Sequence, residues 1–377
     1  MRLRAFLTGA SGFIGRRLAG LLLQHGWEVR ALVPVSEPSR GQLDPQILRV
    51  EGDITDASTM RGAMNDCDAL FHLAALVSPW VSDPREFFRV NVGGTETVIE
   101  ESLRAGVRRF VFTSSLSGIG VRPGAVMRED SPPGKAFGAY EESKADAERV
   151  VTRAFKDRGL PAVIVIPSIV IGPGDTRNTG RFLLDFVQGK FPGTFAERSV
   201  LPVVGLDDVA RGHLLAFERG RVGERYVISA ENVTWGELLR IASQVSGVPL
   251  PARHIGSRAL WLASRTGEAL ARVTRAPPRM PAWLADFMVA GASMDNAKSI
   301  MELGMTYAPI RESIRAAVEW FREEGLLSGE RATPSAMPSG AIENQPRSLG
   351  PFDPEEKQSP PDTADPNRRA PRRGAPP

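Results

Sequence analysis

The chain has 377 residues, of which 42% are hydrophobic and 24% charged, a composition typical of globular proteins and a length sufficient for a large α/β domain with a smaller partner. Its net charge of +3 is small and its basic residues form no long runs, which argues against a nucleic-acid partner. With one cysteine, no signal-peptide pattern and no apolar stretch near the roughly 20 residues of a spanning helix, the sequence predicts a cytoplasmic protein without a membrane span.

Short apolar segments alternate with segments of helical spacing from residue 1 to about residue 230. The predicted strands in this region are residues 5–8, 28–33, 69–73, 109–113 and 162–166. The predicted helices between them include residues 13–25 and 87–105. Strands that alternate with helices form parallel sheets, so the pattern predicts an α/β fold with a Rossmann-type, doubly wound parallel sheet. This domain is expected to cover residues 1–170 and to take in later segments at about 200–230.

A glycine-rich segment, residues 8–15, joins the first predicted strand to the first predicted helix. Its glycines permit a tight turn, close approach of the backbone to a pyrophosphate, and close packing of helix on strand. The N–H groups at the start of the helix point at the phosphates. We therefore predict NAD or NADP as the cofactor. The residues predicted to bind it here are Thr8, Gly9, Ser11, Gly12, Phe13, Ile14 and Gly15.

The end of the second predicted strand bears on the choice between NAD and NADP. An acidic residue there binds the ribose hydroxyls of NAD and a basic residue binds the 2′-phosphate of NADP, but this chain has Pro34. Glu37 follows, while Arg16 and Arg40 flank the position, which favours NADP by a narrow margin. Asp53, after the third apolar segment, is expected near the adenine.

Tyr140 and Lys144 are four residues apart, which places them on one face of a helix. A phenol has a pKa near 10, and a neighbouring ammonium together with an oxidised nicotinamide ring lowers that pKa toward neutrality. Tyr140 can then donate a proton to a carbonyl oxygen as hydride arrives, or accept one from an alcohol in the reverse direction. Ser115 follows a predicted strand and is expected to hydrogen-bond the same oxygen, with Ser114 as the alternative.

Further motifs accompany these residues: Gly52-Asp53, His72-Leu73-Ala74-Ala75, Asn91-Val92-Gly93-Gly94-Thr95 and Gly172-Pro173-Gly174. Together they resemble the extended short-chain dehydrogenase/reductase superfamily, also called the NAD-dependent epimerase/dehydratase family, over residues 3–327. The resemblance implies that Ser115, Tyr140 and Lys144 are catalytic, that Lys144 also holds the nicotinamide ribose, and that Asn91 organises the active site. It also implies further cofactor contacts, from Asp53, Ile54, Leu73, Ala74, Ala75, Asn91, Tyr140, Lys144, Pro167, Ser168 and Ile169.

Within the family, residues 166–173 are similar to the dihydroflavonol 4-reductase branch. Sugar-nucleotide epimerases more usually have an arginine in place of Ile166 and an asparagine near Ser168. Other short segments, at 205–210, 223–226 and 316–321, resemble bacterial proteins named hopanoid-associated sugar epimerases. Dihydroflavonol reductases usually have an arginine where this chain has Pro34, a departure that bears on the cofactor.

Residues 171–328 are predicted to form a smaller, mostly helical substrate lobe that ends in an amphipathic helix at about 310–324. Arg258, Arg265 and Arg272 lie in sequence beside the apolar segment 260–262 and allow a peripheral membrane contact, but we expect this helix to pack over the substrate pocket. Residues 329–377 are rich in Pro, Ser, Ala and Gly and are predicted to be disordered.

One function is favoured and two alternatives remain. We expect an NAD(P)-dependent oxidoreductase that reduces a ketone or aldehyde, so that the partner is a small-molecule carbonyl or alcohol substrate. The sequence predicts no metal site, and it allows a homodimer. The first alternative is a sugar epimerase or dehydratase that retains NAD. The second is a non-catalytic dinucleotide-binding sensor or scaffold, which the Tyr140–Lys144 pair disfavours because a sensor needs no tuned phenol.

Overall fold

The computed structural model describes residues 2–34, 43–122, 124–177, 179–274, 276–278 and 280–327. These residues contain twelve strands. The predicted tail at 329–377, Glu37 and Arg40 lie outside these residues. The strands are β1 (Arg4–Thr8), β2 (Glu28–Val33), β3 (Leu48–Glu51), β4 (Ala69–His72), β5 (Arg109–Thr113), β6 (Val126–Met127), β7 (Ala162–Pro167), β8 (Ile169–Ile171), β9 (Val200–Gly205), β10 (Arg225–Ile228), β11 (Glu231–Thr234) and β12 (Ser293–Met294).

The helices of the described residues flank these strands. They are α1 (Phe13–Gln24), α2 (Ala57–Met60), α3 (Arg85–Phe88), α4 (Gly94–Ala105), α5 (Leu116–Ile119), α6 (Ala139–Arg158), α7 (Thr179–Val187), α8 (Leu206–Glu218), α9 (Trp235–Ser246), α10 (Ser257–Thr274), α11 (Ala282–Ala290) and α12 (Ile310–Glu323). Two short segments, Arg89–Gly93 and Ser299–Leu303, are π-helical.

Seven of the described strands form a parallel sheet in the order β10-β7-β5-β4-β1-β2-β3. The chain turns from one half of the sheet to the other between β1 and β4, where Thr8 lies beside His72. In open parallel sheets, ligands bind in the crevice outside the carboxyl ends of the strands at this point of reversal. The predicted doubly wound sheet is confirmed.

Helices cover both faces of the sheet, which explains why its strands are apolar throughout. Ala5, Phe6 and Leu7 of β1 are fully buried, as expected of a parallel strand between two helical layers. On one side α1 and α8 pack over a core that includes Leu18 and Leu214. On the other side α4 and α6 pack over a second core. The sequence predicted five of the seven strands because those five are continuous buried runs.

β3 and β10 are the two strands that the sequence pattern did not single out. β3 is an edge strand with most of its residues exposed, so it lacks the apolar run that identified the others. β10 lies in the segment at about 200–230 that was expected to return to this domain, and it forms the opposite edge. The single helix predicted at residues 87–105 is wrong in detail, since α3, the π-helical segment Arg89–Gly93 and α4 share this stretch.

A third core lies under α7, α9, α11 and α12 and beside a three-stranded sheet of order β11-β9-β8. The amphipathic stripe predicted near the C-terminus is confirmed in α12, where Ile310, Ile314, Ala317, Val318 and Phe321 are all buried. Residues 1–330 form one compact unit, and the domain boundary predicted at residue 170 stays a prediction. So does the homodimer. No helix among the described residues has the length and apolar character needed to cross a bilayer.

Candidate active site

A cavity of about 1560 Å³ opens at the carboxyl ends of the strands, beside the glycine loop. It is bounded on one side by the loop and α1, and on another by the turn after β8 and by α12. Many of the residues predicted to bind a cofactor line it. These are Gly9, Ser11, Gly12, Phe13, Ile14, Gly15, Asp53, Ile54, Leu73, Ala74 and Ala75.

The glycine loop has the close backbone packing that a dinucleotide site requires. Gly9 has a φ of +74°, and a Cβ there would lie 2.6 Å from the backbone nitrogen of Ala74. A Cβ on Gly15 would lie 2.0 Å from the carbonyl oxygen of Gly9. Gly12 caps α1 without a side-chain hydrogen bond, so the helix start presents backbone N–H groups and its positive dipole end to the cavity. The residues present therefore fit a pyrophosphate.

A buried chain of hydrogen bonds joins β1, β4 and α4 beneath this cavity. Thr8 Oγ1 lies 2.7 Å from His72 Nδ1, and His72 Nε2 lies 3.0 Å from Thr95 Oγ1. Thr95 donates its own hydroxyl hydrogen to the carbonyl of Asn91, so His72 donates to Thr95 through Nε2 and accepts from Thr8 at Nδ1. Burial, with the positive charge of Lys144, lowers the pKa of His72 to about 3. The imidazole is therefore neutral and serves to align the two strands.

Asn91 ties the loop after β4 to the helix that carries Tyr140. Its Oδ1 accepts from the backbone N–H of Leu76 at 2.7 Å, and its Nδ2 donates to Ser143 Oγ at 2.9 Å. Ser143 in turn donates to the carbonyl of Tyr140 at 2.7 Å. The π-helical segment around Asn91 directs this amide inward, a use common for such segments near functional sites.

The two serines after β5 point to different partners. The side chain of Ser115 hydrogen-bonds the hydroxyl of Tyr140. Ser114 donates to Glu148, whose other carboxylate oxygen lies 2.7 Å from Arg225 Nη2. The structure therefore brings Ser115, and not Ser114, to the phenol.

The pKa of the Tyr140 phenol is raised, whereas the sequence led us to expect that a neighbouring cation would lower it. Burial raises the pKa of Tyr140 to about 12, opposed by the hydrogen bond from Ser115. Phe87 packs edge-on against the Tyr140 ring, with centroids 5.8 Å apart. The lower pKa was expected from two positive charges together, the Lys144 ammonium and an oxidised nicotinamide ring. The protein groups alone hold Tyr140 in its protonated form.

Lys144 is buried at the carboxyl end of β5. Its Nζ donates to the carbonyl of Thr113 at 2.8 Å and lies 4.9 Å from the centre of the Phe112 ring. Burial lowers the pKa of Lys144 to about 8, opposed by the negative charge of Glu148. Lys144 shares a helix face with Tyr140, as its spacing predicted. Thr113 itself lines the cavity, so Lys144 lies directly behind the cavity wall.

Several predicted site residues do not line the cavity themselves. Thr8 and Asn91 are buried in the networks described above, and Lys144 contacts the cavity wall through the carbonyl of Thr113. Among the described residues, those that line the cavity do not include Ser115 or Tyr140. Pro167, Ser168 and Ile169 form the junction of β7 and β8. The backbone N–H of Ser168 donates to Ile228 at 3.0 Å, and its buried Oγ has no hydrogen-bond partner among the described residues. Their roles as cofactor contacts stay predictions.

Some residues of the site were not identified from the sequence. Glu148 is one turn beyond Lys144 on α6, so the same helical spacing contained its signal. His213 accepts from Thr113 at 2.8 Å across 100 residues of sequence, and no local pattern indicates that contact. Residues 175–177 and parts of α12 line the cavity for the same reason, since the fold alone brings them there.

Comparison with known proteins identifies the family to which this fold and glycine loop belong. The model of the NAD dependent epimerase/dehydratase family matches residues 5–229. The chain belongs to this family. Because the family is enzymatic and NAD-dependent, the chain is a member of an enzyme family that uses a nicotinamide dinucleotide.

The relatives of this epimerase/dehydratase family member include one protein named as a reductase and one named as a sterol demethylase protein. A "Putative dihydroflavonol 4-reductase" of Synechocystis is 34% identical over 335 residues, covering 85% of this chain and 95% of the relative. The "Sterol demethylase protein B" of Methylococcus capsulatus is 34% identical over 332 residues, covering 85% and 99%. The crystal structure of gox2253 is 33% identical with a TM-score of 0.75, covering 86% of this chain and 99% of that one.

Proposed function

We propose that the protein is an NADPH-dependent reductase that converts a small ketone or aldehyde into an alcohol. The hydrogen bond between Ser115 and Tyr140 carries this proposal, because it brings two hydroxyl groups to one point where a substrate oxygen can receive both. The likeness to a protein named as a dihydroflavonol 4-reductase supports reduction as the reaction class. The substrate is then a small-molecule carbonyl.

In this proposal Tyr140 is the acid. When bound, NADPH would supply hydride to the carbonyl carbon, and Tyr140 would give its proton to the carbonyl oxygen, so that the products would be an alcohol, NADP and the Tyr140 phenolate. Burial keeps Tyr140 protonated at neutral pH, as an acid in this direction must be. Ser115 donates to the developing oxyanion, and the Lys144 ammonium stabilises the phenolate that remains.

NADP is proposed over NAD on the chemistry around β2. Pro34 lines the cavity at the end of β2, so no carboxylate stands at that position to bind ribose hydroxyls. Arg16 also lines the cavity, with its Nη2 3.4 Å from the position of a Cβ built on Gly174. A guanidinium in the cavity wall can bind a 2′-phosphate through paired hydrogen bonds. Asp53, lining the same cavity, is proposed to contact the adenosine.

A retained-NAD epimerase or dehydratase is the competing function within the same family. The side chains at Ile166 and Ser168 favour the reductase, because neither supplies the charged or amide group that a sugar nucleotide needs at those positions. Cofactor turnover separates the two mechanisms, since only a reductase consumes NADPH in step with substrate.

The test is a titration of the purified protein with NADPH and with NADH, followed by a screen of carbonyl substrates at the absorbance of reduced nicotinamide. We expect tighter binding of NADPH and stoichiometric NADPH oxidation with at least one ketone or aldehyde. Interconversion of a sugar with no net cofactor consumption would replace the reductase with the epimerase. Failure to bind either dinucleotide would overturn both functions.

A further inference from the structure

The solvent-facing side of α10 carries no charged residue and is largely apolar. Leu262 is 58% exposed, Leu270 63% and Val273 82%, the largest such values on this helix. The other residues on this side are small or uncharged. Together the side comprises Ala259, Leu262, Ala263, Thr266, Ala269, Leu270 and Val273, which we call the α10 face. Single exposed apolar residues are ordinary on protein surfaces, but a row of them at spacings of three and four is a continuous stripe.

The opposite side of α10 packs against the protein interior. Leu260, Ser264 and Ala271 are buried there, at helical spacings of four and seven. Arg265 pairs with Asp286 of α11 at 3.0 Å. Glu268 accepts from the backbone N–H of Ala282 at the start of α11. The helix therefore packs on α11 with one side and leaves the α10 face outward, whereas the sequence pattern favoured packing of the apolar segment 260–262 over the substrate pocket.

The chain around the α10 face is strongly basic. Residues 253–279 contain six arginines and a single acidic residue, Glu268. Arg253 is exposed before α10, and Arg258 is exposed in its first turn. The guanidinium of Arg265 lies 4.5 Å from the centre of the Trp261 ring, which is itself 53% exposed. Leucine in an apolar stripe with tryptophan and arginine beside it is the pattern of helices that lie in the interface of a lipid bilayer.

We propose that the α10 face docks on the surface of an anionic lipid bilayer. The leucines and Val273 enter the boundary between headgroups and acyl chains, while the exposed Arg253 and Arg258 meet the anionic headgroups. Trp261 lies at the level of the headgroups, where an aromatic ring with a polar edge is stable. This contact lies on the surface of the molecule, and it does not depend on which carbonyl the active site reduces.

Charge favours a lipid surface over a second copy of this chain on the α10 face. Two copies packed through this face would bring their basic flanks close together. Glu268, the single acidic side chain of the segment, is held at the start of α11, and Asp286 of α11 pairs with only one of the six arginines, Arg265. Anionic headgroups supply the missing negative charge.

The test is co-sedimentation of the full chain with vesicles of phosphatidylcholine alone and of phosphatidylcholine with phosphatidylglycerol. We expect binding to the anionic vesicles that weakens at high salt, and little binding to neutral vesicles. The double variant Leu262→Glu/Leu270→Glu should lower the affinity about tenfold or more, because each substitution replaces an inserting leucine with an anion. Met301→Glu, at a residue that is 76% exposed on the π-helical segment Ser299–Leu303, is the matched control and should leave binding unchanged.

Three results would overturn the proposal. The first is absence of binding to anionic vesicles, and the second is binding that the double variant leaves intact, which would assign the contact to another part of the chain. The third is a dimer in light scattering that the double variant dissociates, which would assign the face to a second copy. NADPH binding by the double variant should equal that of the wild type, so failure here is separable from failure of the proposed reductase.

Discussion

At the scale of single residues, the structure separates two adjacent serines. From the sequence, Ser115 is expected to hydrogen-bond the substrate oxygen, with Ser114 as the alternative. Ser114 donates to the buried Glu148, whereas Ser115 hydrogen-bonds Tyr140. The Tyr140–Lys144 pair, by contrast, was predictable because its spacing alone puts both residues on one helix face.

Ser115→Ala should lower kcat about a hundredfold, because it removes one hydrogen-bond donor from the developing oxyanion. Ser114→Ala is the matched control and should keep kcat within about threefold, since Glu148 retains its contact with Arg225. Steady-state kinetics with saturating NADPH measures both. Equal losses in the two variants would contradict the assignment of Ser115.

At the scale of elements, the parts of the fold that the sequence predicted are those with a local signal. Five buried strands, α1 and α12 each have an apolar pattern that can be recognised within their own few residues of sequence. β3 has no such signal because its pairing with β2, not burial, makes it a strand. The π-helical segment around Asn91 was read as regular helix because one extra residue in a turn does not alter the apolar pattern enough to show.

The junction of β1 and α1 provides a prediction about glycine. Gly15→Ala should unfold more easily and lose dinucleotide affinity, because its Cβ would overlap the carbonyl oxygen of Gly9. Gly20→Ala lies on the same helix, and among the described residues its new Cβ meets no atom within 4 Å beyond its chain neighbours and the backbone of its own helix, so this variant should be stabilised by about 1 kcal/mol. Urea unfolding and NADPH titration measure the two effects. A Gly15→Ala variant with wild-type affinity would show that the loop is looser than its contacts indicate.

At the scale of the whole molecule, the cavity is assembled from segments far apart in sequence. The glycine loop, the turn after β8 and α12 meet only through the packing of the sheet and its helices. The glycine loop is a contiguous motif, so the sequence indicates a dinucleotide site. The substrate cannot be identified in the same way, because the rest of the cavity lining does not form a contiguous motif. Buried contacts such as that of His213 with Thr113 and Val209 hold these segments together.

His213 gives the fold a dependence on pH. Burial lowers the pKa of His213 to about 4, below the value of about 6.5 in an unfolded chain. The unfolded state therefore takes up a proton first as pH falls, and stability is lost between about pH 6.5 and pH 4. Replacing His213→Gln should reduce the loss of unfolding free energy between pH 7 and pH 5 by about 2 kcal/mol. Urea unfolding at pH 7 and pH 5 measures the change in unfolding free energy for both proteins. If that change is the same in the variant as in the wild type, His213 does not titrate as its burial requires.

Tyr140→Phe separates proton delivery by Tyr140 from cofactor binding at the glycine loop. Phenylalanine preserves the ring that packs on Phe87 and removes only the hydroxyl. We expect NADPH affinity within about twofold of the wild type, measured by titration, together with a fall in kcat of about a thousandfold. Wild-type turnover in a variant that binds NADPH normally would contradict proton delivery by Tyr140.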